Sequence, residues 1–277
     1  MSQKFPKKYY FDIKVRRIRS FFKGIAPTRV IPLFSRQENL LNTYSSLNAE
    51  EVYPWTSPNI WVEIVKFYSG ITEPVVFEYG TGASSIAHID NLVNLNGTYI
   101  GVESDRTWFD IVFQSIVKRI STSEDEVQIK HSMIDRGSND DFDLLISTCR
   151  VKIILKFRSN KEGYISALND SCNVAIVDGK HRIECVNRIL DTDFLVETGL
   201  LALMEAGRGS TNWWEGDLTG DNDYSSVVRQ LMNLGGKIID GNGVDNWPNL
   251  YQRSPNPISY YYPKEACILI RSNNSIC

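Results

Sequence analysis

The chain has 277 residues, 42% of them hydrophobic, with 30 Lys and Arg against 33 Asp and Glu. This is the composition of a soluble globular protein with room for one large α/β domain and an added N-terminal segment. No window approaches the roughly 18 apolar residues that a bilayer span needs, and the N-terminus lacks the apolar core of a signal peptide, so a cytoplasmic protein is expected.

Charge is unevenly spread. Residues 1–36 hold ten Lys or Arg against the single acid Asp12, which leaves 20 bases and 32 acids for the rest. A basic arm is thus joined to an acidic body. In "KFPKKYYFDIKVRRIRSFFKG" the spacing puts Phe11, Val15, Ile18 and Phe22 on one face of a helix, with Arg16, Arg17 and Lys23 around it. Such a helix over residues 1–24 would rest on an anionic membrane or a nucleic-acid backbone, or pack its apolar face on the body. Residues 1–50 are read as this arm and a helical extension, and 51–277 as the main domain. The five cysteines, Cys149, Cys172, Cys185, Cys267 and Cys277, are scattered without C-x-x-C or zinc-type spacing and point to reduced thiols.

The first clear helix starts at "TSPNIWVEIVKFYSG", with Ser57 as N-cap, Pro58 in the first turn, Trp61, Ile64, Val65 and Tyr68 on one face, and Gly70 at its end. Strand and helix then alternate. Strand 75–79 leads to a helix near 83–94, and strand 98–103 to a helix near 106–120. Further strands are expected at 127–132, 174–178 and 199–205. A helix near 223–234 is followed by strand-like 236–241 and 266–272 with no helix between them, which predicts an antiparallel final pair. Residues 137–162 read equally as strand or helix. The expected fold is a doubly wound, mostly parallel sheet with helices on both faces and an antiparallel C-terminal strand.

The strand at 75–79 ends in "VVFEYGTGASS". In an open parallel sheet, ligands collect at the carboxyl ends of strands, where the winding order reverses. Gly80 and Gly82 permit backbone angles and a ligand approach that a Cβ would prevent, and the helix that follows offers free N–H groups. Glu103 ends the next strand. A carboxylate there supplies acceptors for the two hydroxyls of a ribose. Together these residues describe a nucleoside site.

A dinucleotide fingerprint wants a third glycine where Ser85 stands, and it has no duty for Glu78. Here the sequence resembles the class I S-adenosylmethionine-dependent methyltransferases, whose first motif is acid-x-Gly-x-Gly. The resemblance implies S-adenosylmethionine as cofactor, with Glu78 holding an ammonium group and Gly80, Gly82 and Ser84 lining the loop. It also implies that Glu103 binds ribose and that Asp135, past the strand at 127–132, contacts adenine. It runs from about residue 52 to 272 and predicts the antiparallel last strand. "PWTSP", "GVESDRTW" and "VDGKHR" are also similar to a group of bacterial methyltransferase-like proteins.

Asp178 and His181, in "AIVDGKHRIEC", follow the fourth expected strand and should face the same crevice. Histidine suits a general base because its unperturbed pKa lies near neutral. The D-G-x-H spacing also resembles macrolide-sugar O-methyltransferases, which implies magnesium (Mg2+) on Asp178, a second ligand in Glu205, and His181 as base. The sequence departs from that pattern at Ala206, where a carboxylate would be expected. Glu205 is also next in line as the base. In "MEAGRGSTNWWEGDLTGDNDY", Trp213 and Trp214 would stack on a sugar ring or planar acceptor, or anchor the loop. Arg208 would pair with an anionic acceptor or with Glu205.

These residues lead to the expectation of an O-methyltransferase for a glycan or other small hydroxylated acceptor. One rival is a non-catalytic nucleoside-binding module docked through its basic arm. Another is a nucleic-acid methyltransferase, which the acidic body and the lack of an N-P-P-Y-like motif oppose.

Overall fold

The computed structural model describes residues 10–13, 56, 58–123, 127–133, 140–204, 224–239 and 266–271. In chain order the elements are β1 (Tyr10–Ile13), α1 (Pro58–Ser69), β2 (Val75–Tyr79), α2 (Ala83–Val93), β3 (Thr98–Glu103), α3 (Arg106–Ser123), β4 (Val127–Met133), β5 (Phe142–Ser147), β6 (Lys152–Phe157), α4 (Lys161–Ile165), β7 (Cys172–Val177), α5 (Arg182–Leu190), β8 (Leu195–Met204), α6 (Ser225–Asn233), β9 (Lys237–Ile239) and β10 (Ala266–Ile270). The strands form one sheet in the order β1-β4-β5-β6-β3-β2-β7-β8-β10-β9.

The centre of the sheet, β6-β3-β2-β7-β8, is parallel. Its apolar runs are buried on both faces, as the short continuous hydrophobic stretches require. On one face Val76, Tyr99, Ile153 and Val174 pack with Ile60, Ile64 and Tyr68 of α1 and with apolar residues of α2 and α3. On the other, Phe77, Val102, Val177 and Leu203 pack with Cys185, Val186 and Ile189 of α5 and Val227 and Leu231 of α6. Strand β10 runs antiparallel to both β8 and β9. The expected doubly wound sheet with an antiparallel last strand is therefore present, and α1 ends before Gly70 as expected. The Ser57 cap lies outside the described residues.

Two expectations need correction. The strand at 127–133 is not the third parallel strand. β4 pairs antiparallel with β5, and β5 with β6, and it is β6 that lies parallel beside β3. The reason lies in "LLIS" and "VKIILKF", whose β-branched and aliphatic content makes a hairpin that inserts between β4 and the parallel core. The second correction concerns the arm. Tyr10–Ile13 is a strand paired antiparallel with β4, so a continuous helix over residues 1–24 does not form. Tyr10, Phe11 and Ile13 are of the aromatic and β-branched types that strands favour. The rest of the arm lies outside the described residues.

Candidate functional site

The carboxyl ends of four strands are held level by backbone hydrogen bonds that continue past the strands. Arg158 N donates to Glu103 O at 3.0 Å, Gly80 N to Val102 O at 2.9 Å, and Asp178 N to Tyr79 O at 2.9 Å. Between β2 and β7 the order of the sheet reverses, since the chain winds outward from β2 to β3 and then returns to β7 on the other side. The glycine turn and the Asp178–His181 turn meet at this switch point, where ligands of doubly wound sheets bind.

The two glycines of the opening motif have different reasons. Gly80 has φ +87°, and a Cβ there would lie 2.5 Å from Gly179 Cα. It is glycine because two strand ends pass too close for a side chain. Gly82 has φ −178°, which any residue adopts, and a Cβ there would meet only Trp108 Cζ2, at an ordinary 3.7 Å. Among the described residues nothing gives a packing reason for glycine at 82, and they leave the space over it open.

Glu78 is wholly buried. Its Oε1 accepts from Ser84 Oγ at 2.5 Å, and its Oε2 accepts from Ser85 Oγ at 2.7 Å and from the Tyr99 phenol. Ser85 Oγ in turn accepts from Gly82 N at 2.8 Å, so the carboxylate shapes the turn from beneath. Burial pushes the Glu78 carboxyl up to about 7, against the pull of the three hydroxyls. This geometry spends both carboxylate oxygens, and the Ser84 hydroxyl, inside the loop. The ammonium contact expected of Glu78 is not offered at its surface.

Glu103 is 7% exposed. Its Oε1 accepts from Ser104 N and Asp105 N at 2.7 and 2.8 Å, while Oε2 has one long contact, 3.4 Å from Thr81 N. Oε2 therefore keeps acceptor capacity for a ribose hydroxyl. Burial raises the Glu103 carboxyl from its ordinary value. The carbonyl of Thr81 accepts from Trp108 Nε1 at 2.5 Å, so the middle of the glycine turn is tied to β3 and to α3 at once. The open space at Gly82, the acceptor at Glu103 and the Trp108 wall fit the nucleoside and methionine ends of S-adenosylmethionine.

Asp178 and His181 are half-buried at the end of β7. His181 has a left-handed backbone (φ 52°, ψ 40°), and its buried Nδ1 has no hydrogen-bond partner among the described residues. Asp178 pairs with Arg182, whose Nη2 is 3.2 Å from Asp178 Oδ1. The same guanidinium donates to Gly179 O, Asp178 O and Met204 O at 2.9, 3.0 and 2.7 Å, tying β7 to β8. The magnesium expectation finds little support here. A fixed guanidinium already balances Asp178, and among the described residues no group of three or more His, Cys, Asp or Glu converges on an ion position.

Asp135, Glu205, Arg208, Trp213 and Trp214 lie outside the described residues. β4, which precedes Asp135, is three strand positions from β3, roughly 14 Å at ordinary strand spacing. The strand that ends beside Glu103 is β6, not β4. The sequence reading missed Tyr99, Trp108, Tyr164 and Arg182. Trp108 and Arg182 carried a local signal, the one five residues beyond Glu103 in the quoted "GVESDRTW", the other next to His181 in "VDGKHR". Cys172, Cys185 and Cys267 are buried and unbridged among the described residues. No helix among the described residues is long and apolar enough to cross a membrane.

No family model matches the chain, and no curated protein matches it. Solved structures do resemble it. The O-methyltransferase TomG from Streptomyces achromogenes, in complex with SAM, is 11% identical, with a TM-score of 0.47 over 94% of this chain and 100% of that one. The O-methyltransferase from Bacillus cereus, in complex with SAH, is 11% identical, with a TM-score of 0.45 over 92% and 99%. The SAH-bound methyltransferase PaMTH1 from Podospora anserina is 14% identical, with a TM-score of 0.43 over 98% and 100%.

Proposed function

We propose that this chain binds S-adenosylmethionine at the carboxyl ends of β2 and β3 and directs methyl transfer to a hydroxyl of a glycan or other small acceptor. The observation that carries the reading is Gly82. Its backbone angle and its described surroundings would accept a side chain, and it follows Thr81, whose N–H makes only a long contact with Glu103 Oε2, so we attribute the glycine to a ligand. The cofactor supplies a methyl group on a sulfonium, already activated. The protein has to place a hydroxyl in line with it and remove the proton.

Glu103 Oε2 accepts from a ribose hydroxyl, and Trp108 walls the turn on the side of α3. His181, on the neighbouring strand end, takes the acceptor's hydroxyl proton. Asp178, fixed by Arg182, accepts a hydrogen bond from the acceptor and orients it. No step is assigned to a metal.

His181→Ala should leave affinity for S-adenosylhomocysteine unchanged and lower turnover by about 10²–10⁴. Wild-type turnover should persist in EDTA, and Asp178→Asn should be slow with or without magnesium. Full activity in His181→Ala would remove it as base. A loss in EDTA that magnesium restores would reinstate the metal. Tight cofactor binding with no turnover on any hydroxylated acceptor would mark a non-catalytic module.

A further inference from the structure

The turn from Asp178 to His181 is held from two sides, and one of its supports touches the imidazole. We infer that Tyr164 is the positioning residue for His181. The inference rests on the reading of His181 as base.

Left-handed backbone is disfavoured for a residue with a Cβ, so the conformation of His181 has to be imposed by its surroundings. Arg182 fixes the carbonyls of Asp178 and Gly179 on one side. Tyr164 stands on the other. It is 1% exposed, and its ring lies edge-on to the His181 ring with centroids 6.1 Å apart. A Cβ on Gly179 would collide with the Tyr164 phenol oxygen and with the Gly80 backbone, so no side chain fits between them. The turn is thus shaped around the tyrosine.

Tyr164 is itself fixed. It lies on the short helix α4, where Asn160 Oδ1 accepts from Gly163 N at 2.7 Å. At the other end of that helix Tyr79, the last residue of β2, donates its phenol to Ile165 O at 2.7 Å. The rings of Tyr79 and Tyr164 pack with centroids 5.5 Å apart. The strand that carries the glycine turn therefore also locates, through α4 and Tyr164, the ring of His181. Cofactor loop and base are referenced to the same strand end, as in-line transfer requires.

The test uses the full chain with isotope-labelled histidine and the signals of His88 and His131 as controls. Wild type should show a nuclear Overhauser contact between the Tyr164 ring and the His181 imidazole. Tyr164→Phe should lower kcat roughly tenfold or more while acceptor KM and S-adenosylhomocysteine affinity stay within about twofold. Tyr164→Leu should shift the His181 signals and leave those of His131 in place. Absence of the contact in wild type overturns the inference, and this holds even if a variant fails to fold. So does a folded Tyr164→Leu with unmoved His181 signals. The spectra decide the matter even if His181→Ala keeps full turnover, a result that would refute the base reading alone.

Discussion

Glu78 shows how far a single residue's role depends on neighbours that are distant in sequence. An acid before a glycine turn was legible, because buried strand and turn chemistry are local. Its three hydroxyl partners were not all legible, because Tyr99 reaches it only through the pairing of β2 with β3. The arrangement has a measurable consequence. With its carboxyl raised from 4.5 to about 7, the folded chain binds the Glu78 proton more tightly than the unfolded chain does. Stability must then fall as pH rises from about 4.5 through 7, and Glu103, also raised, adds to that slope. His88 acts in the opposite sense. Buried against Tyr68 and Trp61 and pushed down to about 3, it costs stability as pH falls below about 6.5. In urea unfolding, Glu78→Gln should flatten the loss of stability between about pH 5 and 7. An unchanged slope would return the Glu78 carboxyl to its ordinary range.

The elements were legible where a segment's own periodicity decides its state. Strands β2, β3, β7 and β8 and helices α1, α2 and α3 lie close to where apolar spacing put them. Partners across the sheet were not legible, because pairing is decided by contacts between segments and not within them. This is why β4 was given the place beside β3 that β6 occupies, and why the β5–β6 hairpin could not be chosen over a helix. The same limit hid the meeting of Gly80 with Gly179, two glycines 99 positions apart that let the ends of β2 and β7 touch. Gly80→Ala would bring a Cβ against the Gly179 backbone at a positive φ. It should cost roughly 2 kcal/mol or more in chemical denaturation. A cost of a few tenths of that would show that the strand ends can separate freely.

At the scale of the molecule, the fold class and the region of the site followed from the alternation of elements and from one turn, because a doubly wound sheet exposes its strand ends at a single crevice. The acceptor did not follow. The segment after β8, which holds Arg208, Trp213 and Trp214, lies outside the described residues. The basic arm contributes Tyr10–Ile13 to the sheet as a strand, where a helix was expected. Gly82 and Glu103 carry the account's central claim, since they leave room and hydrogen-bonding capacity that the described residues do not use. The most direct test is calorimetric titration of S-adenosylhomocysteine into the full chain and two variants. Wild type should bind one equivalent, Gly82→Val should lose binding while its circular dichroism stays that of wild type, and Glu103→Ala should bind more weakly by roughly 1.5–3 kcal/mol. No binding by wild type, or undiminished binding by Gly82→Val, would contradict the account.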